Sequence, residues 1–367
     1  MSSVLRRPPA NPLLHKAARL EPRHRPLRRM SYLSYPDAIA NQKRRLTMTT
    51  KRRTLRTLSL AAVAIAAPLF AGQAHAAGGL VTIIVNDPSN PYWLTEGNVA
   101  AAEAKRLGYT ANVAASKGDT NAESQLIDTA ITNKSVAIIL DPANASGSVG
   151  AVKKAVAANI PVFLVNAEIN QEGLAKAQLV SNNAQGAALG AQQWVKDVGS
   201  KGNYVELLGS PSDNNAATRS NGYTSVLSQY PDLKKVGSQV ADWDRTKGFN
   251  AMQSLLQAHP DIIGVISGND EMALGGIAAL KQAGKLSSIK VGGFDGSPTA
   301  VAAVKAGELQ YTVLQPVATF SVKAVQEADQ FLKTGKTGAK TEKQLFDCVL
   351  ITKANVDKYT SAFTLSK

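Results

Sequence analysis

Cysteine is almost absent from this chain. Cys348 is the only one, so no internal disulfide can form and stability must come from a core. It lies among Leu345, Phe346, Val349, Leu350 and Ile351 and reads as a buried structural thiol rather than a nucleophile. Histidine is nearly as scarce. Three of the four lie in the first 76 residues, which leaves His259, followed by Pro260 at a helix end. One histidine without clustered cysteines offers no metal site. The apolar run Leu58–Ala71 is too short to anchor the chain in a bilayer. A phosphate-binding loop is missing as well: Gly335-Lys336-Thr337 has Gln330 where the leading glycine belongs.

Acidic residues are scarce at one end only. The formal net charge of +14 would suggest nucleic acid, but residues 1–76 hold 15 Lys/Arg and 2 Asp/Glu of the chain's 41 and 27. The remainder, 26 basic against 25 acidic, is near neutral, so a nucleic-acid partner is not expected. The leader has the parts of an export signal. Met48 opens a basic segment with Lys51, Arg52, Arg53 and Arg56, the apolar run follows, and Ala74-His75-Ala76 places small residues for cleavage between Ala76 and Ala77. Residues 48–76 are thus expected to be a signal peptide directing the protein to the periplasm. Residues 1–47, rich in Arg and Pro without apolar periodicity, read as a non-native or disordered extension upstream of it.

Residues 77–367 are numerous enough for two core-bearing lobes. Short apolar runs such as Val81–Val85, Ser135–Leu140, Pro161–Val165, Asn203–Leu208 and Ile262–Ile266 alternate with amphipathic helical segments. That pattern specifies parallel sheets flanked by helices, an α/β fold of two Rossmann-like lobes. Gly78-Gly79 reads as a flexible start, and Leu345–Ile351 as a late strand.

Polar and aromatic residues gather where strands give way to helices, the rim at which open parallel sheets bind ligands. Asn90, Tyr92 and Trp93 follow the first strand, and Trp243, Asp244 and Arg245 follow a later one. Aromatics make up only 5% of the chain, so three at such junctions point to ring faces for the C–H surface of a small polar solute. Only Arg106, Arg219 and Arg245 remain after residue 76. The planar fork of Arg219, early in a helix, suits adjacent hydroxyls. Arg245 is expected in a structural pair with Asp244, and Asp270-Glu271 to serve a helix N-terminus.

Asp244-Arg-x-Lys-Gly and Asn269-Asp-Glu-Met-Ala-Leu-Gly, at their separation, resemble the ribose-binding protein family of periplasmic binding proteins. The resemblance covers nearly all of 80–352. It implies a type I periplasmic binding protein with a three-segment hinge near Ser181–Asn183, Gln315–Pro316 and Phe346–Asp347. The N-terminal lobe would be 77–181 with 316–346, and the other lobe 182–315 with 347–367. It implies that Asn90, Tyr92, Trp93 and Asn166 hold the sugar from one lobe. Arg219, a stacking Trp243, Asn269 and the hydroxyl-gripping Asp295 would come from the other, with Gln315 at the hinge.

One pair departs from the family. Ribose binders carry Asp-Arg after the strand Pro161–Val165, where this chain has Asn166-Ala167, followed by Glu168. A hydroxyl buried there without a partner costs roughly 1–3 kcal/mol. Ribose is therefore disfavoured, and a polyol or a differently configured monosaccharide is expected, with Glu168 a candidate replacement acceptor. The function implied is capture of a sugar or polyol between closing lobes for an ABC transporter permease. No catalysis and no cofactor are expected, the chain should act as a monomer, and presentation to a chemoreceptor is compatible. Two rivals share features. A sugar-responsive repressor would need a helix-turn-helix where the export signal stands. A carbohydrate-active enzyme using Asp295 or Glu271 would need two carboxylates at a defined separation.

Overall fold

The structure is a computed structural model that describes residues 78–365. The expected extension, signal peptide and cleavage site lie outside the described residues. Among the described residues, no helix is long and apolar enough to cross a membrane.

The chain first lays down β1 (Gly78–Val85), α1 (Pro91–Arg106), β2 (Tyr109–Ala115), α2 (Thr120–Thr132), β3 (Ala137–Leu140), α3 (Val149–Ala157), β4 (Val162–Val165) and β5 (Ala177–Ser181). It then repeats the theme with α4 (Asn183–Val198), β6 (Lys201–Leu208), α5 (Asn214–Leu227), β7 (Asp232–Val240), α6 (Arg245–Ala258), β8 (Ile262–Ser267), α7 (Asp270–Gln282), β9 (Lys290–Gly292), α8 (Pro298–Ala306) and β10 (Tyr311–Leu314). Last come α9 (Val317–Thr334), β11 (Lys343–Phe346) and β12 (Val349–Thr352). β3, β4 and β5 are buried along their whole length, as continuous apolar runs in a sheet covered on both faces must be.

Two six-stranded sheets result, ordered β11-β5-β4-β3-β1-β2 and β12-β10-β9-β8-β6-β7. The orders match position for position, so the lobes are repeats of one architecture. The chain passes between sheets at three places: after β5, after β10 and between β11 and β12. The first sheet is parallel throughout. The second is parallel except for β12, which runs antiparallel to β10. The sequence pattern gives no sign of that reversal; topology requires it. Strands of both lobes run toward the cleft, so a strand entering the second lobe from the cleft must run away from it.

The expected strand Leu345–Ile351 is therefore two strands in two sheets, broken at Asp347-Cys348. Gln185 holds this crossing. Its Oε1 accepts from the Cys348 N–H at 2.9 Å and its Nε2 donates to the Cys348 carbonyl at 3.2 Å. Cys348 is buried, and burial pushes its thiol up to about 12, in keeping with a structural role. Gly78-Gly79 also differ from expectation, since they open β1 rather than a flexible lead. A Cβ on Gly78 would lie 2.8 Å from the Tyr109 ring and one on Gly79 2.2 Å from Val136, so the close strand approach selects glycine.

Candidate functional site

A cavity lies between the lobes, lined by Asn90, Tyr92, Trp93, Asn166, Asp213, Asn215, Arg219, Trp243, Asn269, Asp295 and Gln315. Most sit at a strand-to-helix junction, where helix N-termini and strand ends turn polar groups inward. In the first lobe Asn90 caps α1, its Oδ1 accepting from the Tyr92 N–H at 2.9 Å. Pro91 follows at the position where a missing N–H costs nothing. That cap fixes the first turn, which turns Tyr92 and Trp93 inward. The Tyr92 hydroxyl donates to Asn166 Oδ1 at 3.0 Å, and Asn166 Nδ2 donates to Asp141 at 2.9 Å. Asn166 thus spends both ends of its amide on the wall and acts as a spacer. Behind it, burial holds the carboxyls of Asp141 and Glu96 well above the usual range, and the charge of Asp141 raises Glu96 further.

In the second lobe Arg219 is fixed on several sides. Nε donates to Asn183 at 2.8 Å, and Nη1 donates to the Gly268 carbonyl at 2.8 Å and reaches Asp295 at 3.5 Å. Its guanidinium lies 4.0 Å from the Phe294 ring centroid and 5.2 Å from that of Trp243. Both aromatic faces favour the cation. Nη2 makes no hydrogen bond among the described residues, and so remains available to a ligand. Gln315 donates through Nε2 to Asp295 at 2.7 Å, while its Oε1 is buried without a partner among the described residues. A buried orphan acceptor on a cavity wall is the counterpart of a ligand hydroxyl.

Asp295 is the electrostatic centre. Burial raises its carboxyl, Arg219 and Gln315 pull it back, and the balance falls at about 7. Its backbone is strained at φ 128°, and Asn166, Asp242 and Trp243 also have positive φ, at 64°, 47° and 65°. Such conformations persist where the surroundings over-determine them, and they cluster at ligand sites. The Trp243 ring packs against the backbone just past the end of β6. A Cβ on Gly209 would fall 2.0 Å from that ring, so Gly209 is the residue that makes room for it.

Residues 81–337 match the family model described as a periplasmic binding protein domain. The chain belongs to that family. It is 48% identical over 310 residues to a D-apiose import binding protein of Actinobacillus succinogenes, covering 84% of this chain and 98% of that one. The ribose import binding protein RbsB of Escherichia coli is 33% identical over 281 residues, covering 77% and 93%. A solute-binding protein of an ABC transporter from Actinobacillus succinogenes, solved with D-allose bound, superposes with a TM-score of 0.71 at 27% identity, covering 77% and 100%. This periplasmic binding protein is thus the sugar-binding component of an ABC importer, with the two-lobed α/β fold of that class.

The structure brings nine of the ten expected residues to the one cavity: Asn90, Tyr92, Trp93, Asn166, Arg219, Trp243, Asn269, Asp295 and Gln315. Glu168 is the exception and is corrected. It is not among the lining residues, because its carboxylate is taken by Lys343 at 2.6 Å, on the edge strand β11. Asn269 lines the cavity but is partly committed to structure. Its Oδ1 caps α7 on the Met272 N–H, and its Nδ2 donates to the Trp243 carbonyl at 3.2 Å. Arg245 does make a structural pair, with Glu271 at 2.8 and 3.0 Å rather than with Asp244, which caps α6. Asp270 bonds the Ser297 N–H and the Thr312 hydroxyl, both at 2.7 Å.

Two lining residues were missed by sequence reading, Asp213 and Asn215. The available signal was the Asp-Asn-Asn run that opens the helix of Arg219. It reads as an ordinary helix cap, and Asp213 is indeed the cap of α5.

Proposed function

We propose that this protein is the periplasmic solute-binding component of an ABC importer for D-apiose or an aldose of the same size. It would capture the sugar between the lobes, present the closed form to the membrane permease and release the sugar unchanged. The observation that carries the choice of solute is the 48% identity across nearly the full length of a D-apiose import binding protein. The cavity supports it. Its lining sets three aromatic rings among amides, carboxylates and a guanidinium, the mixture that a monosaccharide's C–H faces and hydroxyls call for. Trp93 and Trp243 offer ring faces, while Arg219 Nη2 and Gln315 Oε1 supply a donor and an acceptor with no protein partner. Ribose fits less well, because Asn166 is spent on Tyr92 and Asp141 and Ala167 offers only a methyl group. One chain supplies both walls, so a monomer suffices.

A thermal-shift screen against D-apiose, D-ribose, D-allose, pentitols and myo-inositol tests this reading. A ligand that binds only the folded state raises the midpoint in proportion to RT ln(1 + [L]/Kd). The expected result is the largest rise with D-apiose and a smaller one with D-ribose. A polyol ahead of every aldose would reject D-apiose, and no rise with any member would reject sugar binding.

A further inference from the structure

The turn that opens α5 carries three hydrogen bonds between the lobes. The Ala145 N–H donates to the Ser212 carbonyl at 3.3 Å. Asn214 Nδ2 donates to Asn170 Oδ1 at 3.1 Å, and Asn215 Nδ2 donates to the Asn166 carbonyl at 3.2 Å. In each bond one partner hangs from the first sheet and the other from the second. Residues 212, 214 and 215 therefore form a seam across the cleft. Asp213, in the middle of it, has no bond to the other lobe and instead lines the cavity.

Its carboxylate is half committed. Oδ1 accepts from the Asn215 N–H at 2.8 Å, which caps α5, and the other oxygen makes no hydrogen bond among the described residues. Burial raises the carboxyl, while the cap bond, Arg219 and the Trp243 indole favour the charged form. Asp213 is half-buried and its second oxygen opens onto the cavity, where a ligand hydroxyl can take the place of water as its donor. The corner it faces is that of Asn166 and Ala167, which offers no free polar group to a ligand. The neighbouring Asn215 bonds the Asn166 carbonyl directly, which fixes Asp213 opposite that corner.

We propose that Asp213 is a specificity-determining residue of the sugar site: its free oxygen accepts a hydroxyl at the end of the sugar nearest Asn166, and its place in the seam ties reading that hydroxyl to closing the cleft. The inference rests on the sugar-binding reading above. In D-apiose the group that suits this end is the exocyclic hydroxymethyl of the branched carbon, a flexible primary alcohol able to reach a carboxylate.

The test is Asp213→Asn, which keeps the cap geometry because asparagine caps as well as aspartate. Calorimetric titration compares D-apiose with D-erythrose, which lacks the branch, in wild type and variant. A bond to a charged acceptor is worth about 10- to 100-fold in affinity. Asp213→Asn is expected to weaken D-apiose by that factor, leave D-erythrose within about 3-fold and so collapse the discrimination between them. The sugar-free variant should unfold at the same midpoint as wild type, since asparagine keeps the cap of α5 and the position is only half-buried. A merely structural role would lower the midpoint and weaken both sugars alike, and that result overturns the proposal, as does unchanged affinity for D-apiose. If wild type binds another sugar of the screen instead, the comparison is made with that sugar and its analogue lacking the terminal hydroxymethyl. A failure of the D-apiose assignment is thereby separated from a failure of the role given to Asp213.

Discussion

At the scale of single residues, Asp295 makes the site sensitive to pH. With its carboxyl poised at about 7, it is protonated in the sugar-free protein over much of the range in which the unfolded chain, near 3.9, has already ionised. The folded state then holds the extra proton. The contribution of Asp295 to stability is therefore full below about pH 4 and is lost as pH rises toward 7. Sugar binding should carry the opposite sign, because hydroxyls donate to the ionised form. Affinity is expected to fall roughly 10- to 30-fold between pH 8 and pH 5.5 in titration calorimetry, with proton release on binding near neutrality. Asp295→Asn should flatten that profile while weakening binding at every pH. Gly209→Ala belongs to the same scale. It cannot coexist with the Trp243 ring in place, and Asn269 holds the Trp243 backbone, so the ring must tilt into the cavity. A loss of at least about 10-fold in sugar affinity with a small change in midpoint is expected, and unchanged affinity would show that the ring does not stack on the ligand.

At the scale of elements, the fold was legible because its physics is local. Continuous apolar runs can only be doubly covered strands, and caps such as Asn90, Asp244 and Asn269 mark helix starts one residue at a time. The site was legible in part for the same reason, since two of those caps, Asn90 and Asn269, are also cavity residues. What escaped was non-local. Whether Glu168 enters the cleft depends on Lys343, far along the chain, and whether Leu345–Ile351 is one strand or two depends on which lobe each half joins. The last segment makes the same point. Residues after β12 return toward the cleft and bury Phe363, whose ring meets that of Tyr92 edge-on at 5.5 Å. Nothing in the local pattern of 353–365 announces a partner in α1. Phe363→Ala is expected to destabilise the protein by about 3 kcal/mol, read from the denaturant midpoint at constant slope, the usual cost of emptying a buried aromatic site. Because Tyr92 is also a cavity wall, a loss of affinity should accompany it.

At the scale of the whole molecule, affinity is the product of two things, the fit of the sugar and the stability of the closed arrangement around it. The second is set by contacts that never touch the sugar: the seam from Ser212 to Asn215 and the three chain crossings at the hinge. A protein whose binding-competent state is only partly populated binds more weakly by that fraction, whatever the ligand. Asn170→Ala removes the acceptor of one seam bond at an exposed position outside the cavity lining. One such bond is worth about 1 kcal/mol, so affinity should fall roughly 3- to 10-fold. The loss should appear in the release rate, since the bond forms after the sugar has entered. It should be the same factor for every sugar the protein binds, in contrast to the selective loss expected at Asp213. Stopped-flow fluorescence of Trp93 and Trp243, both at the cavity, reads the release rate directly. A change in the ranking of sugars on losing Asn170 would mean that recognition and closure are not separable in this fold.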